Sequence, residues 1–169
     1  MGAGYKFDHP PLLAPGRHCL TLMEVKQLCL DGLPKSTVRS NLYYAFEDLL
    51  QRFLIAGIPC EFWLDGSFLT SKPDPSDVDV VIRIDHDVAS SLTSEQRLLV
   101  DSANEAEFIK GIDSYVSVAL PRDHPDAGTD ADDRETWAEQ FGLEHSALWC
   151  KGLAVLRLGE TSVGLRLRR

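Results

Sequence analysis

The stretch that most constrains this chain is Asp77-Val78-Asp79-Val80-Val81-Ile82-Arg83-Ile84, two carboxylates set into a β-branched run. Its alternation and Val/Ile content predict a strand from Asp77 to Ile84. Residues i and i+2 of a strand project to one face, so the two Asp side chains stand side by side with Cα atoms about 6.5–7 Å apart. Aspartate disfavours strands and neighbouring carboxylates repel, so the pair calls for a compensating charge. A divalent cation supplies one. Hard oxygen donors at this spacing suit Mg2+ or Mn2+, which keep bound waters and add substrate phosphate oxygens to their shell.

The segment upstream adds a second part. Cys60-Glu61-Phe62-Trp63-Leu64-Asp65 reads as a strand from its aromatic content and ends at Gly66-Ser67. Glycine lets backbone approach a phosphate closely, and a serine hydroxyl with neighbouring N–H groups can hold its oxygens. A phosphate held there, beside a metal on Asp77 and Asp79, suits metal-assisted phosphoryl transfer.

Around this centre the chain alternates helices and strands. Residues 7–16 hold three prolines and read as an extended lead-in. Thr21 with Glu24 forms a capping box for a short helix to about Asp31. Ser36 opens a longer helix whose apolar residues, Val38 through Leu54, recur at i, i+3, i+4 and i+7, and Gly57 with Pro59 ends it. Thr93 with Gln96 caps a helix from about 94 to 109, and Asp113 to Leu120 reads as a third strand. Residues 121–135 form an acidic loop, Arg134 to Phe141 a short helix, and Gly152 to Leu158 with Ser162 to Leu167 a terminal hairpin. The alternation argues for one compact α/β or α+β domain in the 169 residues, with 1–34 as lead-in and short helix and 35–169 as the main body; α+β is the class expected.

Gly66-Ser67, nine residues, then Asp77-x-Asp79 resembles the signature of the DNA polymerase β-like nucleotidyltransferase superfamily. Trp63 to Lys72 with Asp77-Val78-Asp79-Val80 is similar to small, largely uncharacterised bacterial and phage nucleotidyltransferase-like proteins. Leu12-Leu13-Ala14-Pro15-Gly16 and Lys151-Gly152-Leu153-Ala154-Val155-Leu156 resemble that group weakly. The resemblance implies a nucleotidyltransferase-like mixed β-sheet with helices packed mainly on one face. It implies Mg2+ or Mn2+ on Asp77 and Asp79, with Gly66 and Ser67 holding the outer phosphates of an NTP. Its third carboxylate, on a later strand, is a metal ligand or the base for an attacking hydroxyl; Asp113 is the candidate here. Should Asp113 lie outside the site, Ser117 takes the next inward position and the triad is incomplete. The activity implied is transfer of a nucleoside monophosphate to a hydroxyl of a protein, RNA or small molecule. A protein partner or a homodimer is expected to complete so small a chain, within a toxin–antitoxin or phage-defence module. The alternative is a catalytically inactive member of the fold that senses a nucleotide or binds a partner, as an antitoxin does.

Several residues keep two readings. Lys72 could meet a triphosphate or simply be solvated. Asp65 could orient the Gly-Ser loop or serve as a turn residue. A metal-dependent nuclease is a weaker reading, without the extra Glu or Lys close by. The five histidines lack a partner pattern for a Ser-His-Asp triad. The basic tail Arg166-Leu167-Arg168-Arg169 is either a charge-protected edge strand or a contact for an acidic partner.

Composition sets the outer bounds. Hydrophobic residues at 44% and charged residues at 25% exclude global disorder and fibrous repeats. A net charge of −9 argues against general DNA or RNA binding, which needs a basic face, but leaves a metal-assisted nucleotide enzyme open. There is no apolar run of about 20 residues to span a membrane and no secretory apolar core at the N-terminus. The four scattered cysteines (Cys19, Cys29, Cys60, Cys150) fit buried, reduced thiols and a cytoplasmic location better than a zinc site.

Overall fold

In the computed structural model, residues 9–105, 108–127 and 151–159 are described. Among the described residues, five strands form one mixed sheet: β1 Gly16–Cys19, β2 Cys60–Asp65, β3 Val78–Asp85, β4 Ile112–Ala119 and β5 Gly152–Leu158. Their spatial order is β1-β5-β2-β3-β4. The β1–β5 and β3–β4 pairs are parallel, and β2 runs antiparallel to both β3 and β5. The architecture is α+β.

Among the described residues, four α-helices accompany the sheet: α1 Leu22–Lys26, α2 Arg39–Ala56, α3 His86–Ser91 and α4 Ser94–Ala103. Both capping boxes read from the sequence form. Thr21 Oγ1 accepts from the Glu24 N–H at 3.2 Å while the Thr21 N–H donates to Glu24 Oε2 at 2.7 Å. Thr93 and Gln96 repeat the arrangement at the start of α4. A π-helical turn, Gln27–Asp31, extends α1 to the point where Gly32 stops it.

Helix α2 starts three residues after Ser36, whose Oγ accepts from the Val38 and Arg39 N–H groups. Its apolar stripe behaves as expected. Phe46, Leu49, Leu50 and Phe53 are fully buried against Phe62 and Leu64 of β2, Val80 and Ile82 of β3 and Leu156 of β5. The Phe53 and Phe62 rings meet edge to face at 5.4 Å. Each such buried side chain contributes roughly 1.5–3 kcal/mol. Residues from the helices join this one cluster, so helices cover one face of the sheet.

The opposite face carries a smaller apolar group, Trp63, Val81, Leu153 and Val155. Period-two alternation puts Glu61 and Asp65 of β2 on that face with Trp63, and Asp79 and Arg83 of β3 with Val81. The chemistry gathers on this side, away from the helices.

Several boundaries differ from the sequence reading. The third strand spans Ile112–Ala119, and α4 ends at Ala103, where the Asn104 N–H returns to Asp101 and Ser102 carbonyls, so it does not reach 109. Helix α3 was hidden behind the strand signal it follows directly. The lead-in is part of the sheet: β1 pairs with β5, and Pro11 bridges Thr70. Cys29 and Cys60 are buried as expected, whereas Cys19 is exposed because β1 is an edge strand. The helix expected at 134–141, the strand at 162–167, Cys150 and the basic tail lie outside the described residues, as does the acidic loop beyond residue 127. Among the described residues no helix is long and apolar enough to cross a membrane.

Candidate active site

The two strands that carry the motif are hydrogen-bonded neighbours. Antiparallel β2 and β3 set Asp65 opposite Asp79, and parallel β3 and β4 set Asp79 opposite Asp113. One register row therefore crosses three strands and holds a carboxylate on each. Asp77 immediately precedes β3, and its Oδ1 accepts from Ser76 Oγ at 3.2 Å. Asp77 and Asp113 both act electrostatically on Asp79: after burial, their negative charges are the main causes that hold its carboxyl above the ordinary carboxylate range.

Register depends on how β3 and β4 begin. The Val78 N–H donates to the Gly111 carbonyl at 2.9 Å. Gly111 takes φ +84°, and a Cβ there would come within 2.7 Å of Leu42 on α2. A glycine is thus required at the turn that delivers Asp113, and Asp113 belongs to the row. Ser117 stands four residues further along β4, opposite Arg83, at the other end of the strand.

The Gly-Ser turn is built for close approach. Gly66 follows the last residue of β2 with φ +75° and ψ −165°, a conformation that side chains disfavour. A Cβ on Gly66 would collide with the Asp79 carboxylate, so the absence of a side chain is what lets Asp79 lie over the turn. Ser67–Leu69 then form a single 3-10 turn, closed where the Thr70 N–H and Oγ1 donate to the Ser67 carbonyl at 3.2 and 2.8 Å.

Arg39 holds this loop. Its guanidinium is 1% exposed and donates to the carbonyls of Phe68 (2.7 Å), Thr70 (2.6 Å), Lys72 (2.7 and 3.2 Å), Cys29 (3.2 Å) and Ser67 (3.5 Å). Burial lowers its pKa, and carbonyl dipoles compensate the charge. Asp74 ties the next part of the loop to α2, accepting from Ser36 Oγ at 3.0 Å and from the Thr37 N–H at 3.1 Å.

Two charged residues complete the centre. Asp65 is 4% exposed, and Lys151, just before β5, brings Nζ to 3.4 Å from its Oδ2. Burial pushes the Asp65 carboxyl up to about 6, against the opposing pull of Lys151 and the Gly66 N–H. Among the described residues, the buried Asp65 Oδ1 has no hydrogen-bond partner. Lys151 also lowers the Asp79 pKa, so it is a cation of the carboxylate row. Lys72 joins the site through its backbone: its carbonyl accepts from Arg39 and its N–H donates to Thr70 Oγ1.

The donor set is one of carboxylate oxygens, which suits a hard divalent ion. Among the described residues no three His, Cys, Asp or Glu side chains form a ready-made metal cage. Mg2+ does not need one, since it binds through one or two carboxylates together with waters and phosphates. The like charges of Asp77 and Asp113 around Asp79 fit a hard cation bound in that open manner.

Sequence reasoning brought Asp77, Asp79, Asp113, Gly66 and Ser67 to this end of the sheet. It missed Arg39, which sat inside a helix read as core, and Lys151, which is 86 residues from its partner. It left Asp65 between two readings, although an Asp ending a strand on the Trp63 face was a usable signal. No curated protein and no solved structure matches the chain. A family model does match residues 5–157, so the chain belongs to DUF6932, a family of unknown function.

Proposed function

We propose that this protein is a Mg2+- or Mn2+-dependent nucleotidyltransferase that moves a nucleoside monophosphate from an NTP to a hydroxyl of a protein, an RNA or a small molecule. The observation that carries the reading is the register row Asp65–Asp79–Asp113 beside the Gly66 turn. Asp77 and Asp79 would hold the ion. When bound, it supplies charge neutralisation and Lewis-acid polarisation at a phosphoryl group.

The remaining roles fall to the chain itself. Gly66 and Ser67 take the outer phosphates on the turn, with Lys72 as a further cation for the triphosphate. Arg39 supports that contact by drawing the carbonyls of Ser67, Phe68, Thr70 and Lys72 towards its own guanidinium, which keeps their negative ends from an incoming anion. Asp113 is exposed and reachable by an acceptor. It takes the proton of the attacking hydroxyl as the new phosphodiester forms and pyrophosphate departs. A partner chain or second copy would supply the acceptor and base contacts, as in a toxin–antitoxin or phage-defence module. A reducing cytoplasm suits the buried thiols of Cys29 and Cys60.

The second reading is a non-catalytic member of the same fold that senses a nucleotide or binds a partner. The Lys151–Asp65 pair, which occupies one carboxylate of the row, favours it. Incubation with Mg2+ and each α-labelled NTP, alone and with cell extract, separates the two. Label transfer that disappears in Asp77→Ala and Asp79→Ala supports catalysis. Metal-dependent NTP binding without transfer supports sensing, and neither transfer nor binding overturns both.

A further inference from the structure

The two flanks of Asp79 differ in charge. On the β4 side stands Asp113, and Asp77 lies two residues before Asp79, just ahead of β3; both act on Asp79 as like charges. On the β2 side stands Asp65, and its carboxylate already has a cation: Lys151 Nζ lies 3.4 Å from Oδ2, with the two side chains 9% and 6% exposed. A buried ammonium and a divalent ion repel strongly at such range in a low-dielectric setting. The β2 flank therefore resists a metal while Lys151 is present, and the β4 flank attracts one.

Asp65 nevertheless has ligand capacity. Its Oδ1 is buried and has no hydrogen-bond partner among the described residues, although a carboxylate oxygen in that position ordinarily finds one. With Lys151 removed, Asp65 and Asp79, opposite one another in the ladder, would offer oxygen donors to a second cation.

We infer that the site takes a single divalent cation, shared by Asp79 with Asp77 and Asp113 and not with Asp65, and that Lys151 stands in the place of a second. This rests on the metal-dependent reading above. Lys151 is a positioning residue: it pairs with Asp65, balances the row from the β2 side and confines the ion to the other. The charge it supplies is fixed and independent of metal concentration. One class of ligand is thereby selected, a single divalent ion with its nucleotide.

Mn2+ alone is the probe, with the full chain and no nucleotide. Electron paramagnetic resonance of free Mn2+ and calorimetric titration both read ions bound per chain. The wild type binds one. Lys151→Met, which keeps the aliphatic stem and deletes the charge, binds two; Lys151→Arg still binds one; Lys151→Met with Asp65→Asn returns to one. Circular dichroism melting reports which variants are folded, and Lys151→Gln replaces Lys151→Met if the latter is not. A wild type that binds two ions, or a folded uncharged variant that still binds one, overturns the inference and leaves the metal-dependent reading standing. A wild type that binds none overturns both.

Discussion

The Asp79 carboxylate occupies the position where a side chain on Gly66 would begin. Gly66 directly follows β2 and Asp79 lies near the start of the neighbouring β3, and the acid lies over the bare backbone of the turn. The glycine of the motif is therefore required twice, for its φ of +75° and for the space it leaves to Asp79. The same contact places the carboxylate next to the backbone proposed to meet phosphate.

Gly66→Ala tests this relationship. It adds backbone strain of about 1–3 kcal/mol and forces Asp79 to another rotamer. The expected outcome is a lower urea midpoint and at least tenfold weaker Mn2+ binding. Mn2+ titration of the folded variant with unchanged affinity would show that the Asp79 position is immaterial.

Asp79→Asn separates stability from function. Burial and two like charges disfavour the ionised carboxylate, so the neutral amide raises the urea midpoint at pH 7 in the absence of metal. The same change abolishes Mn2+ binding and any nucleotide transfer. Equilibrium unfolding with chelator, beside a Mn2+ titration, checks both halves.

Arg39 is the residue on which the loop depends. Arg39→Met leaves the carbonyls of Phe68, Thr70 and Lys72 without their donor, at a cost on the order of 3–5 kcal/mol. Arg39→Lys recovers little, because one ammonium cannot span carbonyls that a planar guanidinium bridges. Urea denaturation gives the two values.

Asp65 makes the fold pH-sensitive. Its folded pKa of about 6 lies above its ordinary value of 3.8, so the folded state binds more protons between these limits. The contribution is fully present below about pH 4 and is lost as pH rises through about 6. At about 1.4 kcal/mol per unit this amounts to roughly 3 kcal/mol. Metal-free unfolding curves from pH 4 to 7 should show the loss in the wild type, and Asp65→Asn should show a correspondingly smaller fall.

Much of the local structure was legible in the chain. Capping boxes at Thr21 and Thr93 announced two helices because the bonds span three residues. The β2 and β3 strands showed in aromatic and β-branched content, and Asp77 and Asp79 stood out because acids are costly within such a run. The end of α4 was less legible: apolar residues Phe108 and Ile109 continue the pattern beyond the last helical hydrogen bonds. Helix α3 starts at His86 with no side-chain cap, so nothing local marked it.

By itself the sequence determined which residues are acids in strands, where a glycine permits a turn, and which helix face is apolar. Those properties depend on neighbours a few positions away. Only the tertiary structure decided that Asp65, Asp79 and Asp113 form one row, that Arg39 reaches the loop beyond Gly66, and that Lys151 pairs with Asp65. Each of these depends on strand order and register between segments far apart in the chain. A shift of one residue in either ladder would send its carboxylates to opposite faces of the sheet.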